Sequence, residues 1–82
     1  MKAQAEVSVY PLRTATLTER IDQFLGHVHQ TKLRVQLGPM STRIKGDSTD
    51  IFRALHEGFD AVAAHGDVVL SITISNACPD ED

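Results

Sequence analysis

Residues 4–12, QAEVSVYPL, and residues 68–79, VVLSITISNACP, bracket the chain with two related patterns. Each alternates apolar residues with polar or small ones. In a strand, successive side chains point to opposite faces, so a period of two gives one greasy face and one hydroxyl-rich face. In the first stretch Ala5, Val7 and Val9 oppose Glu6, Ser8 and Tyr10. In the second, Val68, Leu70, Ile72 and Ile74 oppose Val69, Ser71, Thr73 and Ser75. A plain solvated face would be built from Lys and Glu. A face of Glu, Ser, Tyr and Thr suits a packed polar interface or a small-ligand site better.

Between these ends the periodicity changes twice. Pro11 and residues 13–15 end the first strand. Thr16 with Glu19 three residues on is a capping-box signature, and Leu17, Ile21, Phe24, Leu25 and Val28 follow at helical spacing. The pattern predicts a first helix to about His29. Leu33, Val35 and Leu37 alternate with Arg34 and Gln36, a second strand, and Gly38–Pro39 turns the chain. A third strand is expected over 40–45, with Met40, Thr42 and Ile44 opposing Ser41, Arg43 and Lys45. Gly46 is expected to end it. Asp47 or Ser48 then caps a second helix, with Ile51, Phe52, Leu55, Phe59 and Val62 as its stripe and Gly66 as its stop. The order βαββαβ, with one apolar face per helix, predicts an α+β fold of ferredoxin-like layout. Two helices would cover one side of a four-stranded antiparallel sheet and leave the other bare. A bare face in a small protein is usually covered by a second copy or used for binding.

Composition narrows the function classes. The chain has 82 residues, predicting one domain over 1–82 with a polar tail at 77–82. Stability of about 4–12 kcal/mol is expected at about 0.05–0.15 kcal/mol per residue, so oligomerisation would be a natural supplement. The net charge is −3 and there is no basic run, which argues against nucleic acid as the partner. The strands also lack the exposed aromatics of an RNA-binding sheet. No apolar run approaches the ~20 residues of a membrane span. The amino-terminal stretch lacks the apolar core of a signal peptide, and a single Cys, Cys78, suits a reducing compartment, so a cytoplasmic location is expected.

Few residues invite catalysis. His27 and His29 lie two apart on a helix and point away from each other. His56 is expected as a packed or half-exposed structural residue, and His65 sits where a helix C-terminus favours positive charge. Cys78 has no activating partner, and no metal motif or cofactor motif is present. At the start of the second helix, Asp47 and Asp50 would repel a phosphate, so capping is the expected role of that terminus. Arg43 and Lys45 project onto the bare face, where they pair with Glu6, line a pocket or are simply solvated. Thr42 falls on the apolar side, where its hydroxyl needs a partner. Glu6, on a central strand, must be paired or reach solvent in a cleft.

With these residues in view, the chain resembles the small thiamin- and hydroxymethylpyrimidine-binding proteins of the Ykof-like kind. The matching stretches are EVSVYPL (6–12), STRIKGD (41–47) followed by an IF-rich helix, and HGDVVLSITISNACPDED (65–82). The resemblance implies a ferredoxin-like fold, no catalysis, no cofactor, and binding of the thiamin pyrimidine. It carries Ser8, Tyr10, Thr42, Gly46 and Asp47 as motif positions. Ykof-like proteins hold two such domains in tandem, an arrangement that a homodimer or dimer of dimers would restore here. An aminopyrimidine needs an acceptor for its amine and donors for its ring nitrogens. Glu6 supplies the first; Ser8, Thr42, Ser71 and Thr73 supply the second; Tyr10 offers a flat surface; Arg43 and Asp47 complete the expected ligand set. Two rival readings are an oligomerisation domain without ligand and, ranked last, a dimeric α+β-barrel enzyme using His56 or Tyr10.

Overall fold

The computed structural model describes residues 1–13, 17–29, 32–39 and 41–77. Thr16, Met40, Cys78 and the rest of the tail, on which several expectations fell, lie outside these residues. The elements are β1 (Lys2–Pro11), α1 (Leu17–His29), β2 (Arg34–Leu37), β3 (Thr42–Asp47), α2 (Ser48–Ala63) and β4 (Val68–Ser75). The strands form one sheet in the order β2-β3-β1-β4, and every neighbouring pair is antiparallel. This is the ferredoxin-like α+β architecture predicted from the alternation of periods.

Register assigns the faces. Ala5 pairs with Ile44 and Ile74, and Val7 with Thr42 and Ile72, so these side chains share one face. Ala3, Ala5, Val7 and Ile44 are buried there with Phe24 and Val28 of α1 and Ile51, Ala54, Leu55 and Val62 of α2. Fully burying a Val, Leu, Ile or Phe side chain contributes about 1.5–3 kcal/mol. Both helices therefore cover this face.

The α2 stripe differs from the expected one. Phe52 and Phe59 are exposed (57% and 38%), while Ala54 and Gly58 take their place inside. The reason is the helix pair: a Cβ on Gly58 would stand 2.8 Å from Phe24 Cδ1, so α1 and α2 meet where α2 is narrowest. Phe52 and Phe59 lie on the flank of that contact. His56 is also exposed, with Nε2 3.3 Å from Asp60, rather than packed.

Strand ends differ as well. β1 starts at Lys2, and this pulls β3 onward through Gly46 to Asp47, which pair with Ala3 and Lys2. Gly46 thus continues the strand instead of ending it. Its φ of 157° and the 2.5 Å that would separate a Cβ from Leu33 Cδ2 both call for glycine. Pro11 is tolerated on a central strand because β1 pairs with β3 only up to Val7; beyond that it pairs with β4 alone. α2 ends at Ala63 with Ala64 as its C-cap in the αR conformation, so Gly66, with a positive φ of 146° outside the αL region, lies in the turn beyond the cap instead of forming the helix stop expected of it.

Candidate functional site

The face opposite the helices carries no further element among the described residues. Across the sheet its side chains fall into rows. One row runs Gln36, Arg43, Glu6, Thr73; the next runs Arg34, Lys45, Gln4, Ser75. Further along β1, Ser8 faces Ser71 and Tyr10 faces Val69.

Glu6 and Arg43 are the centre of this face. Ser41 Oγ donates to Glu6 Oε2 at 2.9 Å, and Arg43 Nε stands 3.9 Å from the same oxygen. Glu6 Oε1 has no partner among the described residues. Both side chains are a little over half exposed, so the pair is a solvent-screened one worth little to stability. A cleft of about 310 Å³ lies on one side of Glu6, lined by Gln36, Leu37, Gly38, Pro39, Ser41 and Arg43 as well. A second, of about 190 Å³, adds Gln4, Thr73, Ser75 and Ala77 on the other side. A third, of about 250 Å³, continues past Arg43 to Arg34, Val35, Gln36 and Lys45. The first is at the lower bound of small-ligand pockets, about 300–1,000 Å³.

The expected ligand set is thus divided. Glu6, Arg43 and Thr73 come together. Ser8 and Thr42 border a different cleft of about 270 Å³, between the middle of β1, the start of β3, the Gly38–Pro39 turn and α1. Thr42 is half-buried on the helix face, so it cannot join Glu6 on one ligand edge. Tyr10 is half-exposed on the same face as Glu6. Four residues of strand nevertheless separate their Cα atoms by about 13 Å. One chain does not offer Glu6 and Tyr10 to the same pyrimidine ring, and Ser71 lies part of the way toward Tyr10. Asp47 is occupied elsewhere: Oδ1 accepts from Thr49 N–H at 2.9 Å as the α2 N-cap, and Oδ2 accepts from the Met1 amino group at 3.1 Å. These contacts, the amino group first, hold its carboxyl below the ordinary 3.8.

Gln36, Ser41 and Gln4 join the site without having been expected. Periodicity placed their faces, but only the strand order β2-β3-β1-β4 puts Gln36 two strands from Glu6 in one row. Among the described residues no cluster of three or more His, Cys, Asp or Glu side chains could hold a metal ion. No helix is long and apolar enough to cross a membrane.

Fold and face together define a small ferredoxin-like α+β protein whose candidate site lies on the sheet itself, not at a loop cluster. The YKOF-related family model matches residues 2–81, and the chain belongs to that family. None of the curated proteins matches it. Among solved structures, a hypothetical protein of Methanocaldococcus jannascii is similar with a TM-score of 0.86 and 29% identity, over 98% of this chain and 84% of that one. A Streptococcus pneumoniae protein follows at 0.84 and 22%, over 92% and 86%. A Thermotoga maritima protein, provisionally described as acting in thiamine biosynthesis or salvage, gives 0.79 and 21%, over 90% and 82%. At their identities the last two speak for the fold alone.

Proposed function

We propose that the chain is a cytoplasmic, non-catalytic binding protein for thiamin or its hydroxymethylpyrimidine moiety, with the ring on the open sheet face beside a second copy of the chain. The observation that carries this reading is the Glu6 carboxylate between two adjoining clefts. One oxygen is steadied by Ser41 and Arg43, and the other is available to an exocyclic amine. The Thr73 hydroxyl and the Arg43 guanidinium are donors lining the same clefts, with the Gln4 and Gln36 amides beside them. Thr42 and Asp47 have no part in this site. A hydrogen bond to a charged group contributes about 1.5–3 kcal/mol, and neutral ones about 0.5–1.5. Three or four of these with partial burial of the ring amount to micromolar affinity, about 8 kcal/mol. The chain's membership of the YKOF-related family is in keeping with this reading.

The test is calorimetric titration with thiamin and with hydroxymethylpyrimidine, on the wild type and on Glu6→Gln. The variant keeps size and one acceptor oxygen but loses the charge. Binding is expected to weaken by about tenfold or more with an unchanged far-ultraviolet spectrum. Unchanged affinity in a folded variant would remove Glu6 from the site. A second reading, a self-association domain without ligand, draws on Tyr10 and Val69, exposed side by side at 50% and 48%. It predicts no binding heat and a shift in subunit association for Glu6→Gln.

A further inference from the structure

We propose that β4 is an interface for a second copy of the chain. The two β4 strands pair antiparallel about a two-fold axis and join both sheets into one, with Phe52 and Phe59 of each copy packed over the seam. β4 lies at one end of the sheet and pairs with β1 alone among the described residues. The outer side of such a strand presents a row of backbone N–H and C=O groups, a template for another strand. Edges are commonly blunted by charge, proline, a bulge or shortness. β4 uses none of these: it runs eight residues, VVLSITIS, and its register against β1 is unbroken from Val68 to Ser75. The opposite edge, β2, has four residues and begins at Arg34.

The helix layer agrees with the strand. Around α2, Gly58 faces Phe24 of α1, while Ile51, Leu55 and Val62 are buried in the core. At about 100° per residue, Phe52 and Phe59 fall together on the side away from α1. α2 packs against β4 as well as against α1, so that side overhangs the β4 edge. The two rings are 57% and 38% exposed, and Ile72, on the helix face of β4, is 40% exposed. Apolar exposure gathered along an unpaired edge marks a contact surface, unlike the same residues scattered singly.

The strand also fits itself, which selects a second copy as the occupant. Opposite residues of an antiparallel pair share a face, so a central two-fold axis must pass through a residue, Ser71 or Ile72. Through either, Leu70, Ile72 and Ile74 meet aliphatic residues of the copy on the helix face. On the open face Ser71 meets Ser71 or Thr73, hydroxyl pairs that favour a sheet. No charge is brought against its own kind. The partner's β4 also extends the row that ends at Thr73 and walls the outer side of the 190 Å³ cleft. That consequence for ligand rests on the reading above; the interface does not.

Sedimentation equilibrium at micromolar concentration compares the wild type with Ile72→Lys, Ile72→Glu, their equimolar mixture and Phe52→Ser/Phe59→Ser. All these changes lie on the helix side, so packing through the open face is left alone. The wild type is expected to be a dimer or a dimer of dimers. Each variant is expected to lose one two-fold step, with that association weakened by at least about tenfold. The mixture should recover it, because either axis sets the two residue-72 side chains directly or diagonally opposite, where opposite charges attract. Far-ultraviolet spectra check folding; if the strand variants do not fold, Phe52→Ser/Phe59→Ser, on an exposed helix flank, decides alone. A monomeric wild type, a folded variant that associates as tightly as the wild type, or a mixture no tighter than its parts overturns the interface. No ligand enters this assay, so its failure leaves the pyrimidine site to its own titration.

Discussion

Gly58 shows how much one missing methyl can govern. It is buried in the middle of α2, where helix propensity alone would favour alanine by about 0.8–1.0 kcal/mol. The ring of Phe24, itself 1% exposed, occupies the space a Cβ would need, at 2.8 and 2.9 Å from two ring carbons. Overpacking of this kind costs about 1–3 kcal/mol, so the clash outweighs the gain in propensity. Gly58→Ala is expected to lower the urea midpoint, and Phe24→Leu, which replaces the ring with a smaller aliphatic side chain, to recover part of that loss in the double variant. A double-mutant cycle by urea unfolding reads the coupling. Additive effects would show that the two helices do not meet at this pair. Glu6 is the opposite case at the same scale: its exposed pair with Arg43 adds little to stability, so on the proposed reading its loss should appear in binding, not in folding.

At the scale of elements, α2 begins where β3 ends, and Asp47 serves both. It pairs with Lys2 in the ladder and caps the helix through Thr49. The Met1 amino group and then the Thr49 N–H lower its folded pKa. A carboxyl with a lowered folded pKa stabilises the fold at pH values above its unfolded pKa. That contribution is lost as pH falls through the folded value. Asp47→Asn keeps a capping oxygen and drops the charge. It should therefore be less stable than the wild type at neutral pH, and the difference should vanish well below 3.8. Urea midpoints at the two pH values check this; a difference independent of pH would assign the effect to capping geometry alone. The sheet edges differ in their protection. β2 is four residues long and starts with Arg34, whereas β4 runs eight residues with no charge. Short charged edges resist further pairing, and long uncharged ones invite it.

For the whole molecule, one sheet face is filled and the other holds the candidate site with an apolar end at Tyr10 and Val69. A small domain gains stability by covering such a surface. Sedimentation at micromolar concentration is expected to show a dimer or a dimer of dimers. A clean monomer would confine the site to clefts that a single chain encloses. Tyr10 is the position where the difference matters most, because it stands too far along β1 to reach a ring at Glu6 of its own chain.

The fold was legible in the sequence because period and punctuation are local. Alternation in 4–12 and 68–75, helical spacing from Ile21 to Val28, and the Gly-Asp-Ser step into α2 each act within a few residues. The faces of Glu6, Ser8, Arg43 and Thr73 followed from parity alone. What parity does not contain is which strand lies beside which, and in what register. Those are set by long-range pairing and by how closely the helices approach. Tertiary structure therefore decided that Asp47 is taken up by the α2 cap and the Met1 amino group, and that Gln36 and Ser41 stand beside Glu6. It turned Phe52 and Phe59 outward to let Gly58 meet Phe24, and it brought Arg34 against Lys45, because antiparallel register, not sequence distance, determines which charges share a row.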